Sequence, residues 1–249
     1  MRWCMRSGCC MMPVWNSSPA LTHARKALGA YTTEDPANAT HLLLPVPSFD
    51  PDGRIKGGGS LEALLWQLKD DVTVIGGGLG LPELSGYKTI DLLEDDEYVS
   101  ANAAITACCA IRVAAGQLPV IWKGCPVLVL GWGRIGKCLA QLLHRMEADV
   151  TVAARKASDR AMLRALGCKA APIDVIDTCR YRVIFNTAPE MILPECPGKA
   201  VKIDLASVRG IGGDDVIWAR GLPGKYAPES TGSLIAQRVL AGLEQEGAL

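Results

Sequence analysis

The residues best arranged for chemistry are Gly131-Trp132-Gly133-Arg134-Ile135-Gly136, a G-x-G-x-x-G run. The apolar stretch Val127-Leu128-Val129-Leu130 leads into it. Helical spacing follows from Lys137 to Glu147, and a second apolar stretch, Asp149 to Ala154, comes next. Strand, glycine turn, helix and strand in this order predict a cradle for the pyrophosphate of a dinucleotide. Gly131 permits the tight turn, Gly133 lets the backbone approach the phosphates, and Gly136 lets helix and strand pack closely. The helix N-terminus offers N–H groups and a partial positive charge to the anion. Trp132, Arg134 and Ile135 complete the turn and count with it as cofactor-binding residues.

The end of the second strand selects the nucleotide. A ribose 2′-hydroxyl is usually held by an Asp or Glu there, whereas a 2′-phosphate requires a cation. Here the strand runs Ala153-Ala154-Arg155-Lys156, and the first acid, Asp159, already belongs to the next helix. Arg155 can pair with a phosphate in bidentate fashion and stack on adenine. Arg155 and Lys156 therefore predict NADP rather than NAD.

These residues need a scaffold. Leu21 to Leu28 has helical spacing, His41 to Leu44 reads as a buried strand, and Ser48 to Ser60 is a glycine- and proline-rich loop. Leu61 to Leu68 resumes helical periodicity. Val72 to Ile75 and Thr89 to Leu93 read as further strands. Glu94 to Gln117 starts acidic and continues almost wholly in Ala, Ile, Val and Cys, which suits a helix between domains ended by Leu118-Pro119. Strands are then expected at Val127–Leu130, Val150–Ala154, Val183–Asn186, Val201–Leu205 and near Val216–Trp218, and an amphipathic helix over Ser230–Glu246. The predicted class is α/β: a Rossmann doubly wound parallel sheet with a second, smaller N-terminal α/β domain. The expected division is 1–117 for an N-terminal substrate or partner domain with its linking helix, and 118–229 for the NAD(P)-binding domain. Residues 230–249 would form a C-terminal helix packing back on the N-terminal domain.

Ligands of doubly wound sheets sit beyond the C-terminal strand ends. One strand ends Phe185-Asn186-Thr187-Ala188-Pro189, whose Asn186, Thr187 and Ala188 can meet the ribose or nicotinamide. The next ends Asp204-Leu205-Ala206-Ser207, followed by Arg209-Gly210. A later loop runs Gly221-Leu222-Pro223-Gly224-Lys225-Tyr226. Ser207, Arg209 and Lys225 on this rim are candidates to hold a polar, anionic substrate.

The segments V-L-V-L-G-W-G-R-I-G-K, V-T-V-A-A-R-K, I-F-N-T-A-P, K-I-D-L-A-S and L-P-G-K-Y-A-P-E-S-T-G together resemble the A subunit of dipicolinate synthase. The upstream L-L-L-P-V-P, D-L-L-E-D-D-E and the N-A-A-I-T-A beginning at Asn102 fit the same family. The resemblance covers roughly residues 40 to 245. It implies NADP-dependent oxidation of a dihydrodipicolinate-type cyclic imine dicarboxylate to pyridine-2,6-dicarboxylate during endospore formation. It also implies a partner, the smaller, flavoprotein-like B subunit of dipicolinate synthase. Under it, Asn102, Asn186, Ser207 and Lys225 are the candidate catalytic residues, and Asn102, Thr106, Ser207, Arg209 and Lys225 the substrate-binding ones. The chain is expected to form a homo-oligomer. It departs from the family pattern in opening Met1 to Ser18 without a Gly-Gly-Asp turn, and in carrying Cys108-Cys109 where an acid and a glycine are usual.

Two other readings stay open: a dehydrogenase of another small carboxylic acid, and a non-catalytic NADP-binding subunit. A hydroxyacid dehydrogenase commonly uses a rim histidine, and none follows His144. The formal net charge of +0 gives no electrostatic case for nucleic acid or an anionic membrane surface. No apolar run reaches the roughly 18 residues needed to span a bilayer. The start, Met1 to Val14, lacks the continuous apolar core of a signal peptide, so a cytoplasmic location is expected. Among the 10 cysteines no C-x-x-C occurs, and His23, His41 and His144 stand apart from them, so no metal site is expected.

Overall fold

The computed structural model describes residues 14–16 and 18–245. The cysteine-rich start before Val14, and Glu246 at the expected helix end, lie outside the described residues. In chain order the elements are β1 (Val14–Trp15), α1 (Thr22–Leu28), β2 (His41–Leu43), α2 (Leu61–Leu65), β3 (Thr73–Gly76), β4 (Lys88–Asp91) and α3 (Asp96–Ala115). They continue with β5 (Pro126–Leu130), α4 (Arg134–Arg145), β6 (Asp149–Ala153), α5 (Ala157–Ala165), β7 (Lys169–Ala171), β8 (Val183–Asn186), β9 (Val201–Asp204), β10 (Val216–Trp218), α6 (Leu222–Tyr226) and α7 (Pro228–Gln245). The fold class is α/β.

The chain divides into two compact units, Met1–Asn102 with Pro228–Leu249, and Ala103–Ala227. The division falls inside α3 rather than after residue 117. The reason lies in packing: Ala107, Ala110 and Ala114 of α3 belong to the apolar core of the second unit, with Val127, Val129 and Leu139. At 20 residues and a mean hydropathy of 1.3, α3 is long and apolar enough to cross a membrane by length and composition, which corrects the expectation that no apolar stretch is long enough. Its small side chains instead serve this protein core.

The first unit holds a parallel sheet in the order β1-β2-β3-β4. Leu42, Val74 and Trp15 form its core with Leu61, Leu79 and Leu84. Asp95 accepts from the N–H groups of Glu97 and Tyr98 at the start of α3, and from Nε of Arg238 on α7 at 2.7 Å. Burial pulls its carboxyl upward, but these hydrogen bonds, Arg238 first, hold it below the ordinary value. Also in this unit, α7 packs on α1 so closely that a Cβ at Gly232 would lie 2.5 Å from Cβ of His23 and 2.6 Å from the Ala24 nitrogen. Gly232→Ala is therefore expected to destabilise by about 1–3 kcal/mol, despite the better helix propensity of alanine. A denaturant midpoint no lower than that of the native chain would contradict this packing.

The second unit is a parallel six-stranded sheet in the order β10-β9-β8-β5-β6-β7. Chain order reverses between β5 and β8, because the chain builds outward from β5 through β6 and β7, then returns to the other side of β5. That is the switch point at which such sheets bind ligands. Two apolar layers cover the sheet. One joins Val127, Val129 and Phe185 with α3 and α4, and the other joins Leu128, Leu130 and Ile184 with Ile211 and Cys196.

Candidate functional site

At the switch point β5 delivers Gly131 in a conformation with φ +99°, which side chains rarely adopt. Its N–H donates to the Ala153 carbonyl at the end of β6. The strand pairing places Leu130 between Ala153 and Asn186, so the ends of β6 and β8 flank the turn. A Cβ at Gly136 would lie 2.3 Å from the Gly131 carbonyl oxygen, so only glycine lets α4 start this close to the strand end. Gly133 differs: a Cβ there would meet nothing within 4 Å, and it is the N-cap of α4 without a side-chain cap. Open space in front of a helix N-terminus not capped by any side chain is what a pyrophosphate requires. Trp132 is half-buried with the Lys137 ammonium 5.9 Å from its ring centroid; Arg134 opens α4, and Ile135 packs against the core.

From β8, Thr187 donates its hydroxyl to the Leu130 carbonyl at 2.9 Å and stands directly beside Gly131. The glycine turn and the β8 loop are thus brought together. Asn186 has a different part from the one its position suggested. It is 0 % exposed. Its amide nitrogen donates to Ala188 O and to Oδ1 of Asp204 at 2.9 Å, and its amide oxygen accepts from Ala188 N–H. With these partners the side chain is a buried positioning group rather than one reaching ribose, nicotinamide or substrate. Ala188 is held by it.

Asp204, at the end of β9, anchors this corner. Also 0 % exposed, its carboxylate accepts from Asn186 and Ala206 on one oxygen and from the N–H groups of Gly210 and Ile211 on the other. The buried charge is thus met by four donors, as such a group demands. The loop it holds carries Ser207 and Arg209. Ser207 is exposed, and its carbonyl accepts from Arg220 at 2.7 Å, while the Arg220 guanidinium stacks 5.5 Å over Trp218. Arg209 donates to Gly213 O within its own turn, and its Nε is buried without a partner among the described residues. The guanidinium thus turns back on its own loop.

The other expected residues are placed as follows. Lys225 is exposed on α6 with its ammonium 5.3 Å from the centroid of the Tyr226 ring, and the Arg112 guanidinium lies 5.5 Å from the same centroid. Thr106 is buried on α3. Asn102, also on α3, falls in the first unit and not with the others. Of the Cys108-Cys109 pair, Cys108 is exposed and Cys109 buried. Burial pushes the thiols of Cys109, Cys125, Cys138 and Cys196 up, which keeps them protonated.

Arg155 and Lys156 follow β6, both exposed, with Lys156 as the N-cap of α5. A third cation joins them: Arg160 donates to the carbonyls of Ala154 and Arg155. Arg155 is ion-paired with Glu190 of the β8 loop. No local sequence signal marks either of these two neighbours. A separate cavity of about 600 Å³ lies in the first unit, lined by Glu62, Leu65, Trp66, Leu68, Asp70, Glu83 and Tyr87. Its size does not make it the better site, because its lining brings together acids and apolar groups without the convergent donors found at Gly131–Gly136.

Sheet order and turn together define a Rossmann-type, doubly wound α/β architecture in the second unit. Solved structures agree. The A subunit of dipicolinate synthase from Bacillus halodurans superposes with a TM-score of 0.76 at 20% identity, over 94% of this chain and 99% of that one. Its counterpart from Bacillus subtilis dipicolinate synthase gives 0.72 at 20% identity, over 94% and 96%. A transhydrogenase from Sinorhizobium meliloti gives 0.63 at 16% identity, over 88% and 77%. No family model and no curated protein matches the chain.

Proposed function

We propose that this chain is an NADP-dependent oxidoreductase of the kind found as the A subunit of dipicolinate synthase. It oxidises a dihydrodipicolinate-type cyclic imine dicarboxylate to pyridine-2,6-dicarboxylate. The observation that carries the reading is the Gly131–Gly136 turn, with its open face at Gly133 and its place at the reversal of strand order. The likeness in fold to two dipicolinate synthase structures over 94% of the chain supports the narrower assignment.

Bound at this turn, the nicotinamide nucleotide supplies a hydride acceptor. The backbone of Gly131 to Gly136 and the start of α4 would hold its phosphates, Thr187 lines the turn, and Arg155 with Lys156 would meet the ribose substituent. Ser207, Arg209 and Lys225 are the groups left to meet the dicarboxylate. Loss of hydride from the ring is balanced by loss of a proton, and the gain in aromaticity lessens the need for a strong base. The protein acts in the cytoplasm of a sporulating cell, as a homo-oligomer beside the flavoprotein-like B subunit.

The inward hydrogen bonds of Asn186 and the turned guanidinium of Arg209 favour a second reading, a nucleotide-binding protein that turns over only with its partner. Assay of the cyclic imine dicarboxylate with NADP, with and without the flavoprotein-like partner, separates the two. Dipicolinate formed by this chain alone supports the enzyme. Formation only with the partner supports the second reading, and no formation in either case contradicts the assignment.

A further inference from the structure

The Arg155–Glu190 pair joins the two strands on either side of β5. Arg155 lies just past the end of β6 and Glu190 in the loop after β8, so the pair bridges a span of about 9–10 Å between the strands that flank the glycine turn. Arg155 is the residue the sequence assigns to a 2′-phosphate. A carboxylate is the group that Rossmann sites use for a 2′-hydroxyl, normally from the end of the strand equivalent to β6. Here that strand end carries cations, Arg155 and Lys156, and the acid comes from the opposite side of the turn.

We propose that Glu190 is a specificity-determining residue for the nucleotide: it competes with a 2′-phosphate for Arg155 and presents a carboxylate suited to a 2′-hydroxyl. The inference rests on the nucleotide-binding reading above. To admit NADP, Arg155 exchanges one anion for another while Glu190 remains beside the incoming phosphate. To admit NAD, the pair persists and the carboxylate accepts from the hydroxyl. The native chain therefore favours NADP less than its strand-end cations imply. The side chains are 67% and 43% exposed, so water and salt screen the pair and the competition is modest. The backbone beneath Glu190 is held independently, since Ile192 and Leu193 donate to Gly210 O and Asp204 fixes Gly210. Removing the charge leaves the loop in place.

The test is fluorescence titration of the full chain and its Glu190→Gln variant with NADP and with NAD. Glu190→Gln is expected to raise the preference for NADP over NAD by about three- to fivefold at low salt, and by less at high salt. In an Arg155→Gln background the same substitution has to give a smaller gain. A preference within twofold of the native value overturns the inference while leaving nucleotide binding intact. An equal gain in both backgrounds overturns the competition for Arg155. If neither nucleotide binds the native chain or the variant, the nucleotide reading fails and takes this inference with it.

Discussion

Asp204→Asn is expected to destabilise the second unit by about 3–5 kcal/mol, the cost of spoiling a buried, fully hydrogen-bonded charge. The shape of the side chain is unchanged, so no cavity forms. The damage comes from polarity. Each carboxylate oxygen accepts from two donors, Asn186 and Ala206 on one side and Gly210 and Ile211 on the other. Whichever way an amide is turned, its NH2 faces two N–H donors that it cannot accept from. For a chain of this size such a loss lowers the melting temperature by about 6–20 °C. The loops after β8 and β9 are both tied to this carboxylate, so nucleotide affinity should fall with stability. A melting temperature within about 2 °C of native would show that Asp204 does not hold the corner.

Gly133→Asp should do the opposite to stability and far more to binding. Gly133 has φ −78° and ψ −172°, extended backbone open to any residue, and its Cβ would project into free space. It is the N-cap of α4, where aspartate is among the best residues because its carboxylate accepts from the first free N–H groups. The fold is thus kept or slightly strengthened. The same carboxylate, however, takes the N–H groups and the partial positive charge that a pyrophosphate needs, and repels it. Affinity for NADP and NAD alike should drop by about 100-fold or more, with an unchanged or raised melting temperature. Nucleotide binding at native strength in this variant would place the phosphates elsewhere.

The parts of the fold legible in the sequence were those written in contiguous residues. β5, the turn, α4 and β6 follow one another within a short stretch, and β8 and β10 fall at Val183–Asn186 and Val216–Trp218 as expected. Weakly marked elements escaped. Lys169–Ala171 lacks β-branched residues and becomes the edge strand β7 through its pairing with β6. Leu222–Tyr226 contains Pro and Gly and reads as loop, yet it forms α6 because proline is favoured in a first helical turn. Of the candidate site, the geometry of the glycine turn was legible in the sequence, and the partners of the rim residues were not. Backbone geometry in the turn is dictated by glycines, whereas the role of Asn186 depends on Asp204, 18 residues away, and that of Arg155 on Glu190 in another loop. Such pairings are made by the register of β6, β8 and β9, which no local spacing encodes.

The most direct measurement is titration of the purified chain with NADP and then NAD, followed by protein fluorescence. Trp132 lies within the glycine turn and reports occupancy there. The account predicts saturable quenching by both nucleotides below millimolar concentration, with NADP the tighter and Gly133→Asp abolishing the response. No binding of either nucleotide at millimolar concentration would contradict it.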